Sequence, residues 1–189
     1  MTKYNTICLS GGGVSGILHI SILQFLNKNN IIKFYKIKKY ISTSVGTIIS
    51  FLLIIGYKTE EIIDFINNFD FKYLNEDFDI DNIFINYGLN TASKIIVTIQ
   101  TFLYNKTKKK DITFKELKNE FNKSLGIIGT NITLNREEYF SPETTPDMSV
   151  ILAIRISISI PILFTPVKYN NNLYVDGGFL DTSADNANQ

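Results

Sequence analysis

A serine on a sharp strand-to-helix turn, a glycine-rich turn opening a helix, and a carboxylate on a glycine-permitted turn are the parts of an acyl-transfer site. This chain carries all three, far apart in sequence. They are Gly11-Gly12-Gly13-Val14-Ser15-Gly16, Ser42-Thr43-Ser44-Val45-Gly46 and Asp176-Gly177-Gly178. Each is weak alone. In this order they point to ester or amide chemistry in which a serine attacks a carbonyl, a carboxylate takes its proton, and backbone N–H groups hold the oxyanion.

Ser44 is the candidate nucleophile. An elbow needs small residues two positions to either side because the turn is tight and strained. Gly46 supplies one, and Ser42 stands where a glycine is usual. Ser42 and Ser50 lack such flanking themselves. An ordinary serine N-cap on the following helix fits the elbow segment equally well when it is taken alone. The glycine run also fits the dinucleotide fingerprint, Gly11-x-Gly13-x-x-Gly16. That reading requires an acid near the end of the second strand to hold a ribose. Lys38, Lys39, Tyr40, Ile41 and Ser42 stand there instead, so the reading fails. What survives is a helix N-terminus able to stabilise an anion through its backbone.

His19 is the only histidine, and a Ser-His-Asp triad would have to use it. It falls about a turn into the helix after the glycine run, where side chains usually face packing. It is read as a hydrogen-bonded structural histidine. Proton transfer then falls to a carboxylate, and Asp176 is the best placed, although Asp-Gly is also an ordinary turn pair.

The elements that must position these residues alternate. Asn5 to Ser10 reads as a buried strand, Val14 to Lys28 as a helix, Tyr35 to Ser42 as a second strand, and the apolar run from Ser44 to Gly56 as a helix. Thr59 to Phe69 and Thr91 to Tyr104 have helical periodicity, with an irregular Asn/Asp-rich segment from Asp70 to Leu89 between them that reads as a lid or insertion. Thr113-Phe114-Lys115-Glu116 is a capping box. Gly126 to Leu134 and Glu138 to Ser141 read as strands. Thr145-Pro146-Asp147 reads as a helix start, and Pro161 as its end. Val167 to Tyr169 and Leu173 to Val175 read as a hairpin that delivers Asp176. The order implies an α/β fold, a three-layer α/β/α sandwich around a central, largely parallel sheet. Without repeats or linkers, residues 1–189 read as one domain.

Composition agrees with a globular protein: 44% hydrophobic and 20% charged residues, with 19 Lys and Arg against 18 Asp and Glu. The distribution is uneven. Lys3, Lys28, Lys33, Lys36, Lys38, Lys39 and Lys58 all precede Glu60, the first acid. A solvated surface is the simpler reading, and attraction of anionic headgroups the alternative. Apart from Phe34 and Tyr35 between Lys33 and Lys36, aromatic residues do not interleave these lysines or the run from Lys106 to Lys110, so nucleic acid is not an expected partner. Cys8, the only cysteine, sits in an apolar strand and reads as a small core residue. The longest apolar stretch, around Ile48 to Ile55, is too short to span a bilayer. No cluster has metal-ligand spacing, and no signal peptide is evident, so metal is not expected and the location reads as cytoplasmic.

The chain resembles the patatin-like phospholipase family. The glycine-rich motif, the elbow and the Asp-Gly-Gly motif fall on the three segments above. Thr145-Pro146-Asp147-Met148, Arg155-Ile156-Ser157-Ile158-Ser159-Ile160-Pro161, Phe164 and Pro166-Val167 resemble the stretch that precedes the family's aspartate. The resemblance covers nearly the whole chain. It implies a lipid acyl hydrolase of phospholipase A or lysophospholipase type, with Ser44 as nucleophile, Asp176 as base and the Gly11, Gly12 and Gly13 backbone as oxyanion hole. Gly16, Ser42, Gly46, Gly177 and Gly178 complete the motifs. It implies no cofactor, a phospholipid or lysophospholipid substrate, and peripheral contact with membranes; it names no protein activator. A catalytically silent lipid- or protein-binding domain and an acyltransferase are the rival readings. The chain departs from the pattern at Ser15, where the family usually carries Arg or Lys. It also ends soon after Asp176, which implies a domain truncated at its C-terminus with Asp176 beside an under-packed sheet edge.

Overall fold

The structure, a computed structural model, describes residues 4–68 and 87–180. Three short apolar runs build the part of the sheet that leads to the site. β1 (Thr6–Leu9), β2 (Lys39–Ser42) and β4 (Ser124–Asn131) pair in parallel, with Leu9 beside Ser42 and Ser42 beside Ile127. β5 (Arg136–Phe140), β7 (Val167–Tyr169) and β8 (Asn172–Asp176) complete a six-stranded sheet of order β1-β2-β4-β8-β7, with β5 also on β4. A separate parallel pair joins β3 (Gly88–Asn90) to β6 (Ile162–Phe164).

The chain is an α/β protein with a central sheet, but the sheet is mixed rather than largely parallel. β4–β5, β4–β8 and β7–β8 are antiparallel. Two of these pairs are hairpins, whose short connections leave no room for a crossover. In the β7–β8 turn Asn170 and Asn171 take φ of 48° and 62°, the left-handed pair that a two-residue hairpin needs and that Asn tolerates.

The register has one consequence for the site. β5 runs along one edge of β4 from Ile127 to Asn131, so β2 and β8 must share the other edge. β2 ascends to Ser42 opposite Ile127, and β8 descends to Asp176 opposite Gly129. The two strands therefore meet end to end across Ile128. β8 lies between β4 and β7, and Asp176 is 5% exposed, so among the described residues the aspartate does not stand at the expected under-packed edge.

Six helices accompany the strands among the described residues: α1 (Gly16–Lys28), α2 (Val45–Ile54), α3 (Thr59–Asn68), α4 (Ser93–Thr107), α5 (Phe114–Phe121) and α6 (Val150–Ser157). Each contributes buried side chains to one continuous core with Ile7, Leu9, Tyr40, Leu125 and Ile127 of the sheet. On the other face Ile41, Ile128 and Tyr139 form a small second cluster. Cys8 is exposed rather than in the core. Strand alternation explains the difference: Ile7 and Leu9 point to the helices, so Cys8 faces the other way.

Local boundaries follow caps more closely than apolar runs. The capping box of α5 forms as predicted, Glu116 N–H donating to Thr113 Oγ1 at 3.2 Å and Thr113 N–H to Glu116 Oε2 at 2.8 Å. The second strand begins at Lys39 because Phe34–Lys36 is a 3-10 turn. α6 begins at Val150, not near Pro146, because Ser149 Oγ accepts the Leu152 N–H at 3.0 Å and is the cap. Of the segment predicted to be irregular, Gly88 and Leu89 belong to β3, and residues 70–86 lie outside the described residues.

Candidate active site

Ser44 joins β2 to α2 and takes φ 53° and ψ −130°. An L-residue at this φ is held there only by its surroundings, at a cost of about 1–3 kcal/mol. Two contacts impose it. A Cβ on Gly46 would stand 2.6 Å from the Leu9 carbonyl oxygen, so only glycine lets the start of α2 lie this close to β1. The Ser44 N–H donates to Ser157 Oγ at 2.9 Å, and that hydroxyl donates to the Ile128 carbonyl at 2.7 Å. Ser44 caps no backbone group with its side chain, so the ordinary N-cap reading does not describe it. Ser42 is fully buried inside β2 and does not reach the cavity beside Ser44.

Asp176 arrives from the opposite direction. Its N–H donates to the Ser159 carbonyl at 2.8 Å, and its Oδ1 accepts the Gly178 N–H at 2.7 Å. Gly177 makes that turn possible, since a Cβ there would lie 2.4 Å from the Ile128 carbonyl oxygen. Oδ2 is buried with no partner at hydrogen-bond distance. Burial raises the pKa of Asp176, and the Ser44 hydroxyl and the Gly178 N–H act against it by stabilising the charged form. The Ser44 hydroxyl and the Asp176 carboxylate are thus close enough for the one to stabilise the charge of the other.

The glycine run lies against the same serine. A Cβ on Gly11 would stand 3.4 Å from Cβ of Ser44. Gly13 and Gly16 line the cavity onto which Ser44 opens. Among the described residues, the N–H groups of Gly11, Gly12 and Gly13 donate no hydrogen bond, so the donors that an oxyanion would need are uncommitted.

His19 does not join this constellation. Its Cε1 lies against the glycine loop, 3.8 Å from where a Gly12 Cβ would be. The groups that act on Asp176 are Ser44 and Gly178, not His19. Nor is it the hydrogen-bonded structural histidine read from the sequence, for Nδ1 is buried without a partner.

Sequence reasoning singled out Arg155, Ser157 and Ser159 as part of a motif but gave them no task. They tie the two halves of the site together. Ser157 holds the Ser44 backbone, and Ser159 holds the Asp176 backbone. The Arg155 guanidinium donates to Ser159 Oγ, to the Thr91 carbonyl at 3.0 Å, and to the Thr165 carbonyl and hydroxyl at 2.8 and 3.0 Å. Burial lowers the Arg155 pKa to about 10, which leaves it charged at neutral pH. Replacing Ser157 by alanine should leave the Ser44 N–H and the Ile128 carbonyl unpaired. We expect a stability loss of about 1–3 kcal/mol in thermal unfolding, together with a fall in kcat of roughly tenfold or more, because the nucleophile loses its backbone anchor.

The cavity has a volume of about 230 Å³ and is lined almost wholly by apolar side chains. Ile48, Ile49 and Leu52 come from α2, Ile62, Phe65 and Ile66 from α3, Ile95, Ile99 and Phe102 from α4. The two side-chain hydroxyls on its wall are those of Ser44 and Thr98, and Thr98 is committed to the Lys94 carbonyl at 2.8 Å. The mostly apolar sequence of α2 was the available signal for this cavity, but it reads equally as plain burial.

Comparison with known proteins shows the family and the fold. The chain is 38% identical over 180 residues to the "Probable lipid hydrolase 463L" of Invertebrate iridescent virus 6, covering 93% of this chain and 60% of that protein. It is 33% identical over 184 residues to the "Uncharacterized protein R571" of Acanthamoeba polyphaga mimivirus, covering 94% of this chain and 59% of that protein. The chain therefore spans about three fifths of the curated relatives it matches. Its fold is similar to that of VipD from Legionella pneumophila, with TM-score 0.76 at 17% identity over 95% of this chain and 46% of that one. It is also similar to ExoU of Pseudomonas aeruginosa in complex with SpcU, with TM-score 0.59 at 16% identity over 83% of this chain and 38% of that one. A family profile described as Patatin-like phospholipase matches residues 7–184, and the chain belongs to the patatin-like phospholipase family.

Proposed function

We propose that the protein is a lipid acyl hydrolase that cleaves a carboxylic ester of a phospholipid or lysophospholipid through a Ser44–Asp176 dyad. The observation that carries this reading is the Ser44 hydroxyl on the wall of an apolar cavity, held at a strained φ and acting on a buried carboxylate. The Asp176 carboxylate takes the Ser44 proton as Oγ attacks the ester carbon. The N–H groups of Gly11 to Gly13 hold the resulting oxyanion, a type of donor worth about 10²–10³ in rate when removed singly. The C–O bond to the alcohol breaks, Asp176 returns the proton to the leaving oxygen, and the acyl group stays on Ser44. Water then attacks the acyl-enzyme with Asp176 again as base, and the fatty acid leaves. The apolar walls suit an acyl chain and offer nothing to a charged headgroup, which this reading places outside the cavity. The family and the viral lipid hydrolase support the reaction class.

The direct test is covalent labelling by a fluorophosphonate, which reports an activated serine whatever the natural ester. The wild-type chain should label and Ser44→Ala should not. His19→Gln should label and hydrolyse an ester at close to the wild-type rate, since no proton passes through the imidazole. A His19→Gln protein that folds normally but is as inert as Ser44→Ala would replace the dyad with a triad.

A further inference from the structure

The outer face of α1 is apolar where a helix packed on a core ordinarily turns polar. Leu18, Ile22 and Phe25 follow one another at i, i+4 and i+7 and are 60%, 57% and 61% exposed. The opposite face of the same helix, through Gly16, Ile20 and Leu23, is buried in the core. The outward stripe is therefore additional to what the fold requires.

Charge indicates what covers it. The first 59 residues contain seven lysines and no acid. Lys28 ends α1, and Lys33 and Lys36 follow in the connection to β2. Of the acids on the neighbouring helix α3, Glu60 is engaged by α1 through Gln24 at 3.0 Å and Lys28 at 3.6 Å. A second copy of the chain would bring like charge to like charge. A helix with large apolar side chains along one face and lysines at its end matches the boundary of an anionic bilayer. Position fits as well: the first turn of α1 forms part of the cavity wall through Gly16 and Ile17, and Leu18 is the next residue.

We propose that the outer face of α1 docks the protein on an anionic lipid surface. Leu18, Ile22 and Phe25 enter the headgroup–acyl boundary, and Lys33 and Lys36 lie over the anionic headgroups. The first turn of α1 is then brought to the surface from which a lipid would be drawn. The choice of lipid as occupant rests on the hydrolase reading; the docking itself requires no turnover.

Sedimentation of the full chain with vesicles of phosphatidylcholine, with and without phosphatidylserine, tests it. The chain should pellet with the phosphatidylserine vesicles and be released by salt. The double variant Ile22→Ser/Phe25→Ser should bind them at least about tenfold more weakly, and Lys33→Glu/Lys36→Glu should also bind more weakly. Both should hydrolyse a short, water-soluble ester as the wild type does. Undiminished pelleting of the serine variant would overturn the proposal, as would equal binding to neutral vesicles. So would a wild-type dimer that the serine variant converts to monomer, because the occupant would then be a second copy. A chain that docks through this face but cleaves no ester would sink the hydrolase reading and leave the docking intact. A chain that cleaves the soluble ester but ignores vesicles would do the reverse.

Discussion

Replacing Ser44 by glycine is expected to abolish ester hydrolysis and to stabilise the fold. The loss of the attacking oxygen should lower kcat by about 10³ or more, measured on a soluble ester. The gain comes from the backbone. At φ 53° and ψ −130° any side chain is strained, and glycine is not. Relief of about 1–3 kcal/mol exceeds the extra chain entropy that glycine loses on folding, about 0.5–1 kcal/mol. Ser44→Ala keeps a Cβ at the same φ, so it should be equally inactive without that gain. Thermal unfolding of the two variants separates the effects. If both melt together, the elbow is not strained as its geometry implies. If either retains hydrolysis near the wild-type rate, Ser44 is not the nucleophile.

Much of this arrangement was legible in the sequence where the signal is local. The run Thr6 to Leu9 ends in glycines, α2 starts after a small-residue turn, and Thr113 and Glu116 form both bonds of their box. What depends on distant partners was not legible. The hairpin that carries Asp176 could be read from its Asn turn, but nothing in it tells that β8 lies antiparallel to β4 and continues the edge that β2 leaves. Cys8 looked like core because its neighbours are apolar, and only the sheet's two unequal faces decide its exposure. Thr145-Pro146-Asp147 read as the helix start, whereas Ser149 caps it, in keeping with where α6 must lie to bring Ser157 to Ile128. The tasks of Arg155, Ser157 and Ser159 exist only between β4, α2 and β8, so no spacing rule could assign them.

Asp176→Asn is expected to separate activity from stability in the opposite sense to most core substitutions. The amide keeps an oxygen for the Gly178 N–H but cannot take the Ser44 proton, so hydrolysis should fall by about 10² or more, the usual scale for a lost general base. Burial is the largest influence on the carboxyl and raises its pKa, and the Ser44 and Gly178 donors only partly oppose it. A carboxyl with a higher pKa folded than unfolded stabilises the native state fully below its unfolded pKa. That contribution is lost as pH rises through the folded value, because the unfolded chain then releases the proton more readily. At neutral pH wild-type Asp176 therefore counts against the fold, whereas asparagine carries no such penalty and gives the position of the unpartnered Oδ2 a neutral group. The variant should melt no lower than wild type near neutrality, and its relative advantage should shrink as pH falls into the carboxyl range. Melting curves across that interval, alongside ester hydrolysis, test the two halves of the argument together. A variant that is inactive but markedly less stable at neutral pH would mean that the ionised carboxylate holds the β8 turn in place, and that its loss of activity reports structure rather than a missing base.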